Sequence, residues 1–491
     1  MILKELLTKF DYDVVQGSDE CEIAALKYDS RKIETGDVFV CIKGAGFDGH
    51  DFASEVAQDG AHAIIVQDDV TVPEDVTVIK VDNTRYALAC MSANYFKDPA
   101  KELVTIGITG TKGKTTTTYM VKSVLENVGI KTGLIGTIET IIGDEVYKAE
   151  NTTPESYLIQ EYFRKMVDAG CKCVIMEVSS QGLMLDRTSG FKFDYGIFTN
   201  IEPDHIGPNE HKDFEDYMEC KSKLFRQCKH GIINMDAEHL GHILADHTCD
   251  IETYGIKGKY DFTATNIEFF QKPGKLCVKY DLKGKLEMPV ELNIPGEFSV
   301  YNSLCAIAIC SHFTDDTDKI EQAIINIFVK GRVEFINVSD KFAFMIDYAH
   351  NAMSLETLLN TLKKYEPKRL VTIFGCGGNR SKDRRYNMGE VSSKLSDLTI
   401  VTSDNPRYEN PMDIIDDIVV GVEKADGEYV TVPDRKEAIK YAILNAKDGD
   451  VIVLAGKGHE DYQEINGVKH PMDERTLISE VMADDEVKAV L

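Results

Sequence analysis

A short strand–loop–helix segment constrains the fold of this 491-residue chain more than any other feature of its sequence. The apolar run 104–109 enters a loop rich in glycine and lysine, and residues 117–128 then carry apolar side chains at helical spacing. Glycine lets the backbone turn tightly with its N–H groups toward phosphate oxygens, and the N-terminus of the following helix adds positive potential. The segment therefore predicts a nucleoside triphosphate site, with Lys114 at the β- and γ-phosphates and Thr115 at Mg²⁺. The residues expected at the nucleotide are Gly110, Thr111, Lys112, Gly113, Lys114, Thr115 and Thr116.

The loop differs from the common phosphate-binding template, GxxxxGK followed by Ser or Thr, at one place. Ile108 stands where the first glycine of that template belongs. Strand, loop, Lys–Thr pair and helix nevertheless follow one another in the required order. The loop by itself indicates a bound nucleotide, but it does not indicate which reaction the nucleotide serves.

Strand-like and helix-like segments alternate through most of the chain, which predicts an α/β fold with mostly parallel sheets covered by helices. Several predicted strands end directly in polar or glycine-rich residues, and open α/β sheets bind ligands at the carboxyl ends of their strands. The stretch 251–290 alternates apolar and polar residues instead, which predicts antiparallel strands. The predicted apolar strands are 104–109, 173–178, 195–199, 231–234, 343–347, 370–374, 398–402 and 451–455.

The length of the chain predicts about three domains. Strands that end in polar residues occur in two separate groups, which predicts two α/β domains that follow a smaller one. We expect a smaller N-terminal α/β domain at 1–99, a central domain with a P-loop-type, mostly parallel sheet at 100–332, and a Rossmann-like C-terminal domain at 333–491.

Composition and charge exclude several classes of protein. The net charge of −27 opposes binding to a nucleic-acid backbone. No run approaches the ~18 consecutive apolar residues of a membrane span, and the N-terminus lacks a signal-peptide core. We therefore expect a cytoplasmic enzyme with no membrane partner, and we expect it to be a monomer. The twelve cysteines lack zinc spacing, which predicts free thiols in or near the cores.

A series of motifs along nearly the whole chain resembles, in the same order, the motifs of the Mur ligase family. GITGTKGKTTT at 107–117 is similar to the ATP loop of that family, which has a GTxGKT form. The other motifs are DSR at 29–31, GDVFVCIKGAGFDGHDF at 36–52, NTTPES at 151–156, MEVSSQGLMLDR at 176–187, FTNIEPDHIG at 198–207, YMECK at 217–221, PGEFSVYN at 295–302, KGRVE at 330–334, DYAHN at 347–351, FGCGGNRSKDRR at 374–385, DNPRYENP at 404–411 and GKGHEDYQ at 456–463.

The resemblance implies an ATP-dependent amide ligase of peptidoglycan precursor synthesis, and so a part in cell-wall biogenesis, cell shape and cell division. It implies that meso-2,6-diaminopimelate is added to UDP-N-acetylmuramoyl-L-alanyl-D-glutamate, with ATP and Mg²⁺ as cofactors and these small molecules as partners. The amine would attack an acyl phosphate, and ADP and phosphate would be released. Such a transfer gathers negative charge at one place, so the site needs metal and cationic side chains.

The resemblance also implies roles for individual residues. Mg²⁺ would be held by Thr115, Glu177 and His205, and Lys221 would be carbamylated, although spacing alone does not exclude Lys223. The first domain would bind the UDP-sugar. The residues implied around the nucleotide and the transferred phosphate are Lys114, Lys221, Asn302, Arg332, Asp347 and His350. The residues implied along the UDP-muramoyl dipeptide are Ser30, Thr152, Thr153, Ser179 and Arg187, the last of which would pair with a substrate carboxylate.

The tetrapeptide DNPR at 404–407 indicates the incoming amino acid. In the family it marks meso-diaminopimelate, which has a second carboxylate that lysine lacks, and Arg407 offers a planar fork that binds a carboxylate bidentately. The residues implied at this amino acid are Arg380, Asp404, Asn405, Pro406, Arg407, Gly456 and Glu460.

Three alternatives stay open at this point. They are a ligase that adds lysine, a folylpolyglutamate-type ligase, and a nucleotide-binding homologue without catalysis. The chain also departs from the family pattern at two places. Gln181 stands where a histidine is usual, and the usual DHLDYHG reads DHIGPNEH at 204–211.

Overall fold

A computed structural model describes residues 1–44, 46–207 and 210–491 of the chain. The chain divides into two compact units. The first unit comprises Met1–Asp261 and Cys305–Asp315, and the second comprises Phe262–Leu304 and Asp316–Leu491. The three domain boundaries expected from the sequence stay a prediction.

Helices and strands alternate as expected for an α/β protein. The α-helices are Leu3–Leu6, Ala53–Gln58, Thr84–Tyr95, Lys114–Asn127, Ser156–Asp168, Ser180–Met184, Phe214–Arg226, Leu240–Ile243, Glu297–Cys310, Thr317–Ile325, Ala352–Lys363, Lys382–Leu395, Pro411–Lys424, Arg435–Leu444, Glu474–Met482 and Asp485–Lys488, and short 3₁₀ helices lie at Ser30–Lys32, Gly49–Phe52 and Pro99–Lys101.

The first unit contains two sheets. The strands of its N-terminal sheet, in spatial order, are Asp13–Gln16, Thr77–Lys80, Ala63–Val66, Val38–Val40 and Leu26–Lys27, and only the first pairs antiparallel. The strands of its larger sheet, in spatial order, are Asp250–Gly255, Cys228–Asn234, Phe193–Phe198, Val104–Thr109, Cys173–Glu177, Thr132–Ile135, Glu139–Ile142 and Glu145–Lys148. The first six of these run parallel, and the last two form an antiparallel edge.

The second unit contains an antiparallel sheet, a mostly parallel sheet and a small hairpin. The antiparallel strands are Phe262–Lys272, Lys275–Gly284 and Met288–Leu292. The strands of the parallel sheet, in spatial order, are Glu334–Ile336, Ala343–Asp347, Asp450–Ala455, Arg369–Phe374, Leu398–Val401 and Tyr429–Thr431, of which only the first pairs antiparallel. The hairpin consists of Tyr462–Ile465 and Val468–Pro471.

The fold class expected from the sequence is confirmed. All eight predicted apolar strands are present, with ends that move by three residues or fewer. The expectation for 251–290 was partly wrong, because Asp250–Gly255 pairs parallel with Cys228–Asn234 and only the strands after it are antiparallel. The alternating pattern of that first strand arises because its two faces differ, with residues 251 and 253 half-buried on one face and residues 252 and 254 buried on the other.

Apolar packing agrees with the other expectations. Helix Lys114–Asn127 buries Met120, Val121, Val124 and Leu125, and it packs on the parallel strands beside the phosphate loop. All twelve cysteines are free thiols and eleven of them are buried, which confirms that prediction. Among the residues described, no helix has both the length and the apolar character that crossing a membrane requires.

Candidate active site

The predicted phosphate loop lies at the carboxyl end of strand Val104–Thr109, in the middle of the parallel sheet. Gly110 has a φ of +148°, and a Cβ atom there would lie 2.0 Å from the Thr199 hydroxyl, so only glycine fits. Gly113 has a φ of +86° and stands immediately before the helix that begins at Lys114. Thr115 and Thr116 therefore lie in the first turn of a helix, where backbone N–H groups are available to an anion.

The loop is held by the segment that follows the neighbouring strand Phe193–Phe198. The Lys112 N–H donates to Asn200 Oδ1 at 2.8 Å, and the Thr111 N–H donates to the Asn200 carbonyl at 3.0 Å. The Lys112 ammonium pairs with Glu202 at 2.7 Å. These bonds fix the loop before any nucleotide binds, which reduces the entropy lost on binding.

Lys114 folds back over the phosphate loop. Its Nζ atom donates to the carbonyls of Gly110 at 2.7 Å and Thr111 at 3.1 Å. The ammonium is therefore held above the same backbone turn whose N–H groups are expected to receive phosphate oxygens. The role of Lys114 at the β- and γ-phosphates stays a prediction.

Glu177 is hydrogen-bonded to Thr115, another of the expected metal ligands. It is buried at the end of strand Cys173–Glu177, and its Oε2 atom accepts a hydrogen bond from the Thr115 hydroxyl at 3.0 Å. The Thr137 backbone N–H and hydroxyl donate to the two carboxylate oxygens of Glu177, both at 2.9 Å. A carboxylate and a hydroxyl side by side are the hard oxygen ligands that Mg²⁺ prefers.

Thr137 was not predicted as a site residue from the sequence, although its position after a strand could have indicated it. Strand Thr132–Ile135 was not among the predicted strands, and Thr137 follows it at the same edge of the sheet as Glu177. Its hydroxyl also lies 3.1 Å from that of Thr152, which the resemblance assigns to the muramoyl dipeptide. Thr137 thus connects the expected metal ligand with the expected substrate site.

Replacing Thr137 by valine is expected to weaken activation by Mg²⁺ about tenfold to a hundredfold, because an outer group that orients a metal ligand typically contributes that much. The change removes the hydroxyl that holds Glu177 Oε2 and keeps the size of the side chain. The measurement is the Mg²⁺ concentration that gives half-maximal ATP turnover. Thr132→Val, at the first residue of the strand that precedes Thr137, is the matched control. An unchanged Mg²⁺ requirement in Thr137→Val would contradict the assignment.

Lys221 lies beneath the phosphate loop and is 1% exposed. Helix Phe214–Arg226 brings its Nζ atom within 3.0 Å of the Gly110 carbonyl and 4.6 Å above the Tyr217 ring. Burial, with the positive charge of Lys114 adding to it, lowers the pKa of the Lys221 ammonium well below its usual range. The neighbouring Lys223 points elsewhere, with its Nζ atom 3.5 Å from the Leu183 carbonyl.

His205 is placed apart from the other expected metal ligands. Its backbone has a φ of +54°, its side chain is about half exposed, and its Nδ1 atom lies 3.2 Å from Glu210 Oε1. Within the described ranges, no hydrogen bond or ion pair joins His205 to Glu177 or Thr115. Its role as a metal ligand stays a prediction, and residues 208 and 209 of the unusual loop lie outside the described residues.

Three of the five residues expected along the muramoyl dipeptide, Thr153, Ser179 and Arg187, are joined by hydrogen bonds. The Thr153 hydroxyl donates to the Glu177 carbonyl at 2.9 Å and accepts from the Ser179 N–H at 2.9 Å. The Arg187 guanidinium donates to the Thr153 carbonyl at 3.0 Å. Arg187 also lies 3.6 Å from the Glu155 carboxylate, so a carboxylate partner for Arg187 is already present in the protein.

A cavity of about 550 Å³ opens beside Arg187 in the first unit. Its lining includes Tyr28 and Asp29 from the N-terminal segment and Asn151 and Glu155 from the NTTPES segment. Ser30 begins the adjacent 3₁₀ helix, which Asp29 caps by accepting the Arg31 N–H. Sequence motifs 120 residues apart therefore meet around one cavity in this unit, as ligand sites generally require.

In the second unit, the expected nucleotide residues follow the strand Ala343–Asp347. The Asp347 carboxylate accepts from the N–H groups of Val333 at 2.9 Å and Ala349 at 2.8 Å. The Arg332 guanidinium lies 4.6 Å above the Tyr348 ring, and His350 Nδ1 lies 2.8 Å from the Tyr348 carbonyl. Arg332, Asp347 and His350 are thus brought together. Asn302 is buried in helix Glu297–Cys310.

Most residues expected at the incoming amino acid also meet at one edge of the second unit. The buried Asn405 donates from Nδ2 to Glu460 Oε2 at 3.0 Å. Gly456 donates its N–H to the Asp347 carbonyl at 3.0 Å, and a Cβ atom at Gly456 would lie 3.0 Å from Asp404 Oδ2. These residues follow the parallel strands Leu398–Val401 and Asp450–Ala455, at their carboxyl ends. The sequence rule for ligand sites in open α/β sheets therefore placed them correctly.

Arg407 is held in a strained backbone conformation next to this group. It has a φ of +54°. Its backbone N–H donates to the carbonyl of Glu464, a residue of the hairpin, at 2.9 Å. Its guanidinium donates to Glu464 Oε2 at 3.3 Å and to the Gly378 carbonyl at 3.2 Å. Pro406 packs closely on Gly378, where a Cβ would lie 2.0 Å from the Pro406 carbonyl oxygen. Arg380 is exposed in the loop after strand Arg369–Phe374.

Family models match the chain in three consecutive segments. The model of the Mur ligase family catalytic domain matches 22–96, that of the Mur ligase middle domain matches 108–310, and that of the Mur ligase glutamate ligase domain matches 331–458. The matches include the phosphate loop, Glu177, Lys221 and the residues after strand Ala343–Asp347.

Proteins and solved structures that match nearly the full length of this chain are named as ligases. UDP-N-acetylmuramoyl-L-alanyl-D-glutamate--2,6-diaminopimelate ligase of Clostridium perfringens is 44% identical over 489 residues, which cover 98% of this chain and 99% of that protein. A solved structure named as the same ligase has a TM-score of 0.73 and 26% identity, and covers 98% of this chain and 99% of that one. The MurF ligase of Thermotoga maritima, solved with ADP, shares the fold with a TM-score of 0.58, 18% identity and coverage of 95% and 98%.

The site geometry and the comparisons agree along the whole chain. The phosphate loop, the buried Glu177 and Lys221, and the group after the C-terminal strands occupy segments that the family models match. Identity of 44% over nearly the full length of a relative is far more than a shared fold alone requires. The chain therefore belongs to the Mur ligase family.

Proposed function

We propose that this protein is an ATP-dependent amide ligase of peptidoglycan precursor synthesis that adds meso-2,6-diaminopimelate to UDP-N-acetylmuramoyl-L-alanyl-D-glutamate. The observation that carries the proposal is the group in the second unit, where Asn405 pairs with Glu460 and the Arg407 guanidinium is held by Glu464, whose N–H donates to Asn405. These groups suit an amino acid that presents a carboxylate and an ammonium together. The relative from Clostridium perfringens bears the name of that activity.

The reaction requires an activated carboxylate, because a carboxylate and an amine do not form an amide in water. An oxygen of the substrate carboxylate takes the terminal phosphoryl group of ATP, and the bond from that phosphorus to the ADP oxygen breaks. The amine nitrogen then attacks the acyl carbon, the bond to the phosphate oxygen breaks, and the amine loses a proton. ADP and phosphate leave. Little of this chemistry is covalent to the protein, so positioning and charge supply most of the catalysis.

Cationic side chains and hard oxygen ligands would serve the phosphoryl transfer. Lys114 would contact the β- and γ-phosphates, and Arg332 would offset charge on the group in transfer. Thr115 and Glu177 fit Mg²⁺, since their oxygens already lie 3.0 Å apart. When bound, the ion would neutralise phosphate charge. We propose a cytoplasmic location, where ATP is available. The three domains at 1–99, 100–332 and 333–491 also remain part of this proposal.

The test is an assay of phosphate release from ATP with Mg²⁺, UDP-N-acetylmuramoyl-L-alanyl-D-glutamate and one amine. We expect rapid release with meso-diaminopimelate and little with L-lysine, together with a product heavier than the dipeptide precursor by one amide-linked diaminopimelate. Release with lysine alone would replace the proposal by the lysine-adding reaction. Absence of release with either amine would contradict a ligase of this kind.

A further inference from the structure

Lys457 is a fully buried lysine in the motif GKGHE, and it contacts three of the residues expected at the incoming amino acid. None of the roles derived above uses it. Its side chain is 0% exposed. The Nζ atom donates to Asn405 Oδ1 at 3.0 Å and to Glu460 Oε2 at 3.0 Å, and it lies 3.8 Å from Asp404 Oδ1. A lysine is almost never fully buried unless its charge is paired, so this arrangement needs an explanation.

Lys457 is one of two donors that set the direction of the Asn405 amide. Asn405 Oδ1 accepts from both Lys457 Nζ and the Glu464 N–H, the latter at 2.9 Å. Because the oxygen faces these two donors, the amide nitrogen faces Glu460, to which it donates at 3.0 Å. Without Lys457 the amide would lose one of the two donors that oppose a flip, and the Glu464 N–H alone would remain. The ammonium therefore helps to hold the direction of a side chain that is expected at the substrate.

Lys457 also sets the direction of the Glu460 carboxylate. Glu460 Oε2 accepts from both Lys457 and Asn405, each at 3.0 Å. The three side chains close a triangle of hydrogen bonds in which one carboxylate oxygen of Glu460 is used twice. The carboxylate is thus held through its Oε2 atom. Charge-assisted bonds of this kind are roughly twice as strong as neutral ones, so the triangle is a rigid support.

The charge of Lys457 matters as much as its hydrogen bonds. Asp404 and Glu460 place two carboxylates in this group, and the Lys457 ammonium lies between them. If the ammonium is removed, both carboxylates remain without the cation that separates them. A pocket changed in this way would attract a substrate end that carries only a positive charge more strongly than before.

We propose that Lys457 is a positioning residue that makes the pocket prefer an amino-acid end with both ammonium and carboxylate, as in a diamino dicarboxylic acid, over an end with an ammonium alone. This inference rests on the proposed function. Arg407 recognises the carboxylate of such an end, whereas Lys457 orients Asn405 and Glu460 and offsets the acidic charge that would otherwise admit a simple cation. The preference then depends on two residues with different tasks.

The test uses the full-length protein with Lys457→Met, which keeps an unbranched side chain of similar length and removes the charge. We expect the KM for meso-diaminopimelate to rise about tenfold to a hundredfold, as loss of a buried charged hydrogen bond implies. The kcat at saturation, and the KM for ATP and for the UDP-linked dipeptide, should change by less than about threefold. The ratio of kcat/KM for diaminopimelate to that for L-lysine should fall at least about tenfold.

Lys469→Met is the matched control. Lys469 is an exposed lysine whose Nζ atom lies 4.1 Å from the Tyr462 ring, the same ring that Lys457 approaches at 5.4 Å. It has no contact with Asn405 or Glu460 among the described residues. The control variant should keep both the KM for diaminopimelate and the preference over lysine.

Different results separate this inference from the proposed function. If the wild-type protein releases no phosphate with diaminopimelate, the proposed function fails first. If the wild type is active and Lys457→Met keeps its preference within about twofold, or raises all three KM values alike, the role of Lys457 is refuted. If Lys457→Met does not fold, Lys457→Gln and Lys457→Arg decide. Loss of preference in the glutamine variant and retention in the arginine variant support the inference, and retention in the glutamine variant overturns it.

Discussion

Replacing Lys221 by methionine is expected to lower kcat by about a hundredfold to a thousandfold, the effect of removing one preorganised charge from a phosphoryl- or acyl-transfer site. Lys221 is buried and held at the Gly110 carbonyl, directly beneath the phosphate loop. Methionine fills the same space without a charge. Because no buried charge is left unpaired by the change, the fold should be retained and the loss should fall on catalysis.

Burial gives Lys221 the chemistry that a carbamate needs. Carbamylation requires a neutral amine that attacks CO₂, and the lowered pKa of Lys221 increases the neutral fraction at physiological pH. The product is an anion in place of a cation, next to the ammonium of Lys114. The Lys114 ammonium repels the Lys221 ammonium, but it would attract a carbamate at the same position. The surroundings therefore favour the carbamylated form.

The measurements are kcat and intact mass. The wild-type protein should carry the mass of one added CO₂ that Lys221→Met lacks, and its activity should rise with bicarbonate. Lys223→Met is the control, since Lys223 Nζ faces the Leu183 carbonyl instead of the loop. If Lys223→Met loses activity and Lys221→Met does not, the carbamylated residue has been assigned wrongly.

Replacing Arg407 by methionine is expected to lower kcat/KM for meso-diaminopimelate by about a hundredfold to a few thousandfold, the cost of truncating one partner of a charge pair that the bound substrate would bury. The guanidinium is held by Glu464 and the Gly378 carbonyl, which leave its remaining N–H groups in a fixed direction. A carboxylate bound there loses its bidentate partner in the variant. The reaction with L-lysine has no such carboxylate and should change much less.

The comparison of the two amines is the decisive measurement for Arg407. Arg369→Met is the matched control, because Arg369 pairs with Asp450 at the opposite, amino-terminal end of two strands of the same sheet. The control variant should be less stable than the wild type, but the ratio of kcat/KM for diaminopimelate to kcat/KM for lysine should not change. If Arg407→Met lowers kcat/KM equally for diaminopimelate and lysine, Arg407 does not recognise the second carboxylate.

Local features of the fold could be predicted from the sequence. The strand–loop–helix at the phosphate loop depends on glycines at positive φ and on helical spacing in the next segment, and both are local properties of the chain. The same holds for strands that polar or glycine-rich residues follow, such as the predicted strands 398–402 before Asp404 and 451–455 before Gly456. The general rule for parallel sheets then placed these residues at one edge without any knowledge of their contacts.

Sequence alone did not decide which side chains meet. Lys221 and Lys223 were both possible, and only burial under Gly110 distinguishes them. Thr137 reaches Glu177 because strand Thr132–Ile135 is the spatial neighbour of Cys173–Glu177, although the two are far apart in sequence. Lys457 looked like any lysine in a glycine-rich turn.

By itself, the sequence determined the class of fold, the phosphate loop and the identity of the residues available for chemistry, because turns, helix spacing and strand pattern depend on neighbours along the chain. The tertiary structure decided the partners. Pairing of Lys457 with Asn405 and Glu460, and of Arg407 with Glu464, depends on the order of strands in a sheet and on a hairpin that packs beside them. Long-range contacts of that kind fix the direction and charge of each group, and no local pattern contains them.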